Sequence, residues 1–237
     1  MKKVTGVILG AGAGKRMKSA AKLKQFMKLD GVSVLLYTLK TFCKCAQIDD
    51  VVVVVPQADV DSTSKSVGPC REWKEVTVIA GGVTRQQSSF NAVTYLRDKG
   101  ETEIVVIHDA VRPFVTSDII RRSVDAAREY GAADVAAKTV DTVVEVSDGF
   151  IQAMPDRRKL YNGQTPQTFK LDLIYQAHQQ AIDDNFSETT DDIRLVLRMG
   201  KPVRIVESTL ENMKITTAID MELAAVLAGK RKCKVAQ

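Results

Sequence analysis

The sequence predicts an α/β protein: one domain with a doubly wound, mostly parallel sheet and a projecting β-hairpin arm. Three observations predict it. Short β-branched runs alternate with amphipathic segments, the chemically distinctive stretches follow the ends of those runs, and a single segment breaks the alternation with two-residue periodicity.

Strands are expected at residues 4–9, 51–55, 76–79, 104–107 and 203–206. Each is apolar at consecutive positions, as a strand covered by helices on both faces must be. Between them the 3.6-residue pattern predicts helices over 34–43, 118–130, 173–182, 191–199 and 219–227. Thr116 or Ser117 would cap the second, and Gly131, Gly200 and Gly229 would stop the second, fourth and fifth. Right-handed crossovers then build one sheet. Residues 139–154 alternate about Ser147-Asp148-Gly149, which reads as a hairpin. A two-stranded ribbon is marginal alone, so this arm, residues 139–158, is expected to pack on a partner subunit. No repeat or Pro- or Ser-rich linker divides the chain, so residues 1–237 read as one domain.

Composition narrows the function. Hydrophobic residues at 45% and charged residues at 27% suit a globular protein, and 237 residues suffice for a sizeable core. The net charge of +5 owes much to Lys230, Arg231, Lys232 and Lys234, read as a solvated, frayed end. Aromatics at 5% leave no stacking surface for single strands, so nucleic acid is not an expected partner. No apolar run approaches the roughly 20 residues that span a bilayer. Met1-Lys2-Lys3 leads straight into a strand without a signal core, and the expected location is cytoplasmic, with no membrane partner. Cys43, Cys45, Cys70 and Cys233 form no C-x-x-C pair, and His108 and His178 are the only histidines, so zinc and redox motifs are not indicated.

The stretch Val7-Ile8-Leu9-Gly10-Ala11-Gly12-Ala13-Gly14-Lys15-Arg16-Met17 suits a phosphate. A strand delivers glycines able to take positive φ and expose N–H groups, and a helix starting near Lys15 would point its positive end at the anion. Two common phosphate motifs fail on spacing. The P-loop would need glycine at Leu9 and Ser or Thr at Arg16, and the dinucleotide fingerprint would need Gly or Ala at Lys15 or Met17.

Other strand ends carry Gly81-Gly82-Val83-Thr84-Arg85-Gln86-Gln87-Ser88 and His108-Asp109-Ala110-Val111-Arg112-Pro113, where ligands of doubly wound sheets collect. The cations at or near such ends are Arg16, Lys24, Arg85, Arg112, Arg157, Arg158 and Lys214. Together they suit a polyanion, a nucleoside triphosphate with a second phosphorylated molecule. Asp109 is the best-placed acid for Mg2+, which uses one or two carboxylates plus phosphate oxygens and water; the alternative is an ion pair with Arg112 that shapes the loop. His108 reads as a packed, hydrogen-bonded histidine, and Asp191 and Asp192 as a helix start.

These stretches, with Lys24-Gln25-Phe26, Asp141-Thr142, Gln164-Thr165-Pro166-Gln167, Thr190-Asp191-Asp192 and residues 212–217, resemble the cytidylyltransferases that couple CTP to a sugar-alcohol phosphate. The match spans nearly the whole chain in the family's order. It implies a Rossmann-like nucleotidyltransferase domain, a homodimer joined through the arm, Mg2+, and the small-molecule substrates CTP and a polyol phosphate. On the matching positions Ala11, Gly12, Ala13, Gly14, Gly82, Arg85 and Ser88 would hold CTP. Arg16 and Lys24 would act in catalysis. Asp109, Arg112, Thr142, Arg157 and Lys214 would bind the polyol phosphate, with Thr142 and Arg157 reaching into the neighbouring subunit's site. Gly10, Lys18 and Leu23 depart from the family's usual Ala, Gly and Pro. The implied substrate is 2-C-methyl-D-erythritol 4-phosphate. The alternatives are ribitol 5-phosphate, which residues 161–167 resemble at least as well, and a nucleotide-binding module that has lost the chemistry.

Overall fold

The computed structural model describes residues 2–12, 23–187, 189 and 191–235, the last four by backbone alone. The helix expected near Lys15 lies outside the described residues.

In chain order the strands are β1 (Lys3–Leu9), β2 (Lys28–Leu29), β3 (Val32–Ser33), β4 (Asp50–Val55), β5 (Glu75–Ala80), β6 (Thr102–Asp109), β7 (Ala132–Lys138), β8 (Glu145–Ser147), β9 (Phe150–Ala153), β10 (Tyr161–Lys170) and β11 (Arg204–Glu207). The helices are α1 (Val34–Lys44), α2 (Val60–Ser66), α3 (Arg85–Lys99), α4 (Ser117–Tyr130), α5 (Leu171–Asp183), α6 (Ile193–Arg198) and α7 (Ala218–Val235).

Seven strands form one sheet in the order β11-β7-β10-β6-β1-β4-β5, with β10 antiparallel to both neighbours and the remaining pairs parallel. Alternate residues of each central strand enter opposite cores. Ile8, Val53 and Val106 pack with Leu39, Phe42 and Ile120 on one side. Val7, Val54 and Ile107 pack with Val93, Leu96 and Ile174 on the other. That two-sided burial is why these strands read as continuous apolar runs. From β1 the chain winds outward through β4 and β5, then returns to place β6 on the opposite flank of β1. The crevice beyond the carboxyl ends of β1 and β6 is therefore the sheet's switch point.

Local signals explain the helix ends. The Thr116 side chain accepts the Ile119 N–H, which settles the cap of α4, and Gly131 closes that helix at φ 90°. Gly200 follows α6 at φ 68°. Gly229 does not stop α7, which continues to Val235. The basic tail is also less frayed than expected, since Arg231 donates to the Phe114 carbonyl at 2.6 Å and lies over the Phe114 ring.

The hairpin is present as β8 and β9, turning at Asp148 (φ 51°) and Gly149 (φ 83°), but residues 139–144 stay outside it. Its Val146, Phe150 and Ile151 are 58–73% exposed, so nothing among the described residues covers the ribbon.

Candidate active site

Backbone pairing alone brings the two distinctive strand ends together. Leu9 is in register with Asp109, and Ala110 N–H donates to the Leu9 carbonyl. Gly10 continues the ladder, donating to Val54 O, and Gly81 does the same to Val55 O. The glycine loop after β1, the loop after β5 and the Asp109 loop thus converge on a cavity of about 410 Å³. Of the expected residues, Ala11, Gly12, Lys24, Gly82, Arg85, Ser88, Asp109 and Lys214 line it.

The glycines work differently from the expectation. Neither Gly10 nor Gly12 takes positive φ. A Cβ on Gly10 would meet Leu35 Cδ1 at 3.1 Å and Val54 O at 3.3 Å. At Gly81 it would fall 2.5 Å from Ala11 Cβ and 2.8 Å from Ser88 Oγ. Close approach, rather than handedness, requires glycine there. Ala13, Gly14 and Arg16 lie outside the described residues.

Around the cavity each side chain is held. Thr84 caps α3 through Gln87 N–H, and Ser88 Oγ accepts Gly82 N–H at 3.0 Å. Gln25 Nε2 donates to Gly10 O at 2.6 Å, tying the single turn Lys24–Phe26 to the glycine loop. Lys24 Nζ donates to Thr216 O at 2.6 Å. Asn212 Nδ2 donates to Gln164 Oε1 and Thr165 O while its own carbonyl accepts from Arg112 Nη1, so the segment carrying Lys214 is fastened beside Asp109.

Asp109 is the charge centre. Lys214 Nζ lies 2.7 Å from Oδ2, Arg85 Nε 3.5 Å from Oδ1 and Arg112 Nε 3.9 Å from Oδ2. Burial by itself would raise its pKa. Arg85, Lys214 and Arg112 outweigh that and hold the carboxyl well below the usual range. This geometry bears on the expectation of a metal ligand at Asp109. Both carboxylate oxygens already face cations, and no group of three or more metal-ligating side chains occurs among the described residues. A divalent ion placed there would face three positive charges, so the residues present do not fit a protein-held Mg2+.

His108 is buried and neutral. Burial pushes its pKa down to about 4. The Arg112 carbonyl, 3.1 Å from Nε2, can only accept, so Nε2 carries the proton and Nδ1 accepts from Thr165 Oγ1 at 2.8 Å. Thr165 in turn accepts Asp109 N–H at 3.1 Å. The imidazole fastens the loop and has no nitrogen left for proton transfer.

Sequence reasoning missed Asp192, which it took for a helix start. It is fully buried, and Oδ2 accepts from Arg85 Nη1 at 2.6 Å. Burial would raise its carboxyl, but Arg85 and then His178 bring it down to about 2. Asp192 N–H donates to Gln167, whose Nε2 reaches Asp134 and Asp191. Gln25, Thr165 and Asn212, quoted only within motifs, are likewise structural members of the site.

Two expected cations do not join the cluster. Arg157 donates to Val140 O on the arm, Arg158 pairs with Asp156, and both are exposed. Thr142 is also exposed on the arm, and none of the three lines this chain's own cavity. Residues 140–154 are exposed throughout, and β8 and β9 pair only with each other.

A cation-rich, glycine-walled cavity at the switch point of a doubly wound sheet suits a nucleotidyltransferase. The family model described as IspD, 2-C-methyl-D-erythritol 4-phosphate cytidylyltransferase, matches residues 4–230, and the chain belongs to that family. It is 39% identical over 235 residues to the enzyme so named from Syntrophus aciditrophicus, covering 98% of this chain and 99% of the relative. The Geobacter metallireducens enzyme of that name is 41% identical over 223 residues, covering 93% and 95%. Among solved structures, 4-diphosphocytidyl-2C-methyl-D-erythritol synthase from Anaerococcus prevotii matches with a TM-score of 0.84 at 28% identity, covering 96% of both chains. The Thermus thermophilus 2-C-methyl-D-erythritol 4-phosphate cytidylyltransferase matches with a TM-score of 0.73 at 29% identity, covering 94% and 97%.

Proposed function

We propose that this protein transfers the cytidylyl group of CTP to 2-C-methyl-D-erythritol 4-phosphate, releasing pyrophosphate, as a step of isoprenoid synthesis. The observation that carries the reading is the cavity itself, which Lys24 lines and in which Arg85 and Lys214 flank one carboxylate, Asp109, beside the glycine loop. Of the proteins described above, three bear the methylerythritol phosphate name and the fourth that of a diphosphocytidyl-methylerythritol synthase, and none bears ribitol phosphate.

The chemistry asks for charge and position. The substrate's phosphate monoester is anionic at neutral pH and attacks the α-phosphorus without a general base, which agrees with a His108 that is neutral and fully hydrogen-bonded. Pyrophosphate departs in line. Ala11, Gly12, Gly82 and Ser88 are assigned to the nucleotide, together with Ala13 and Gly14, and Arg85 to its approach. Lys24 and Arg16 are assigned to the charge that grows on the phosphate oxygens and leaving group. Asp109 accepts a polyol hydroxyl, and Lys214 and Arg112 face the phosphate. Thr142 and Arg157 serve the site of a second subunit, which assigns the exposed arm to a homodimer. Mg2+ is assigned to the phosphate oxygens of the incoming CTP, and the enzyme to the cytoplasm; among the described residues no helix is long and apolar enough to cross a membrane.

Phosphorus NMR of the protein with CTP, Mg2+ and methylerythritol phosphate tests this. The proposal expects pyrophosphate and a new diphosphate diester to appear together. CTP binding with neither signal would favour the inactive nucleotide-binding module.

A further inference from the structure

A second cavity, of about 540 Å³, lies between the start of α1, the β2–β3 hairpin, α2 and the turn at Gly68–Glu72. From α1 come Ser33, its N-cap, with Leu36 and Lys40, spaced so that they share one face of the helix. Phe26, Val32, Leu36 and Pro69 make much of the wall apolar. Lys28 and Lys40 are the only charged residues among the described residues that line it, so two ammonium groups meet no carboxylate there.

One buried hydroxyl in that lining lacks a partner. Thr63, on α2, is 2% exposed, and its Oγ1 has no hydrogen-bond partner among the described residues. A helical threonine commonly bonds back to the carbonyl one turn earlier, as Thr38 does to Val34 O at 3.1 Å. A buried polar group left unpaired destabilises the fold, and a ligand acceptor relieves it. Lys28, Lys40 and Thr63 are three donors, which suit the three terminal oxygens of a phosphate monoester, while Phe26 and Leu36 suit a hydrocarbon body.

This cavity shares a wall with the first. Lys24 and Gln25 line the first and Phe26, the next residue, lines the second, so the single turn Lys24–Phe26 divides them. The turn is braced by Phe26 N–H on Leu23 O at 2.9 Å and Met27 N–H on Lys24 O at 3.1 Å, and Val34 N–H, at the start of α1, holds Met27 O at 2.9 Å. A ligand pressed on Phe26 therefore acts on the turn that carries Lys24.

We propose that this cavity binds a phosphate monoester with an apolar group, held by Lys28, Lys40 and the Thr63 hydroxyl, and that its occupation alters turnover through Phe26 and the Lys24 turn. The second clause rests on Lys24 serving cytidylyl transfer.

Phenyl phosphate is the probe, with inorganic phosphate as the control that lacks the ring and phenol as the control that lacks the anion. Binding is read by calorimetry on the whole protein without CTP, so it needs no turnover. The proposal expects saturable phenyl phosphate binding, with both controls at least roughly fivefold weaker. Lys40→Glu should abolish it. Thr63→Val should weaken it severalfold without lowering the melting temperature, and both variants should keep wild-type turnover when no probe is present. Saturating probe should change the rate of pyrophosphate release at least twofold in wild type and leave Lys40→Glu unaffected. No saturable binding, equal binding of either control, or binding that survives Lys40→Glu but is lost in Lys214→Gln would overturn the site. A lowered melting temperature in Thr63→Val would overturn the part given to its hydroxyl. Binding with the rate unmoved would overturn the coupling. Absence of any turnover of CTP with methylerythritol phosphate would count against the functional reading instead and leave the binding result standing.

Discussion

Lys214 Nζ and Asp109 Oδ2 lie 2.7 Å apart, an ion pair that joins the loop after β6 to the segment before α7 at the mouth of the cavity. It is the shortest of three cation contacts that keep Asp109 ionised. Replacing Lys214 by Gln should lower kcat/KM for the polyol phosphate by roughly 10²-fold or more. Asp109→Asn should do comparable harm and also cost about 3 kcal/mol of stability, because Lys214 and Arg112 would lose the carboxylate they pair with, while Arg85 keeps only Asp192. Steady-state kinetics and thermal melts on both variants check this.

Buried carboxyls predict a pH signature. Asp192, held down to about 2, contributes stability that is fully present above the unfolded value near 4 and lost as pH falls through 2. Asp134 behaves oppositely. Burial, then Asp191, raises it to about 7, so the folded state binds its proton more tightly and stability falls as pH rises from about 4 to 7. Asp134→Asn keeps an oxygen for Gln167 Nε2 and should stabilise the protein by about 1–2 kcal/mol at pH 8, with little effect near pH 4. Denaturant melts at the two pH values decide it. A gain of equal size at both would refute the assignment.

Gly81→Ala and Gly82→Ala should both be destabilising. At Gly81 the new methyl meets Ala11 Cβ at 2.5 Å, which no rotation moves, and the strain should cost roughly 1–3 kcal/mol and weaken CTP binding. At Gly82 it meets Gln87 Cγ at 2.2 Å and Gln87 Cβ at 2.6 Å; rotation of Gln87 frees the first, at the cost of the Val83 N–H to Gln87 hydrogen bond, but not the second, so the backbone must shift as well. Calorimetry with CTP and thermal melts on both variants check this.

If the arm completes a neighbour's site, two inactive variants should rescue each other. Lys24→Gln and Arg157→Gln, mixed after dissociation and reassociation, would form hybrids in which one site carries both changes and the other neither. Activity near a quarter of wild type is expected for random pairing of subunits that share sites. No recovery would place Arg157 with its own chain's cavity.

The fold was legible where burial is two-sided and caps are local. β1, β4, β5 and β6 announce themselves as Val- and Ile-rich runs, and α4 by Thr116 and Gly131. β10 was hidden because Pro166 and Gly163 argue against a central strand; the sheet accommodates them at an irregularity between Gly163 and Gln167. β7 is Ala-rich and carries Asp134, so its composition resembles a helix. α3 was missed since its sequence is polar with little apolar periodicity, although the Thr84 cap and Gly100 at φ 72° mark its ends. At the site, residues that sit on strand ends were found. Asp192 was not, because its partner Arg85 is distant in sequence and only the packing of α5 and α6 against the sheet unites them.

The most direct measurement is the initial rate of pyrophosphate release from CTP and Mg2+ with 2-C-methyl-D-erythritol 4-phosphate or ribitol 5-phosphate, run in parallel on wild type and Lys24→Gln. The account predicts faster turnover of the methylerythritol substrate by wild type and a loss of roughly 10²- to 10³-fold in the variant. Faster turnover of ribitol 5-phosphate, or a Lys24→Gln enzyme that keeps its rate, would contradict it.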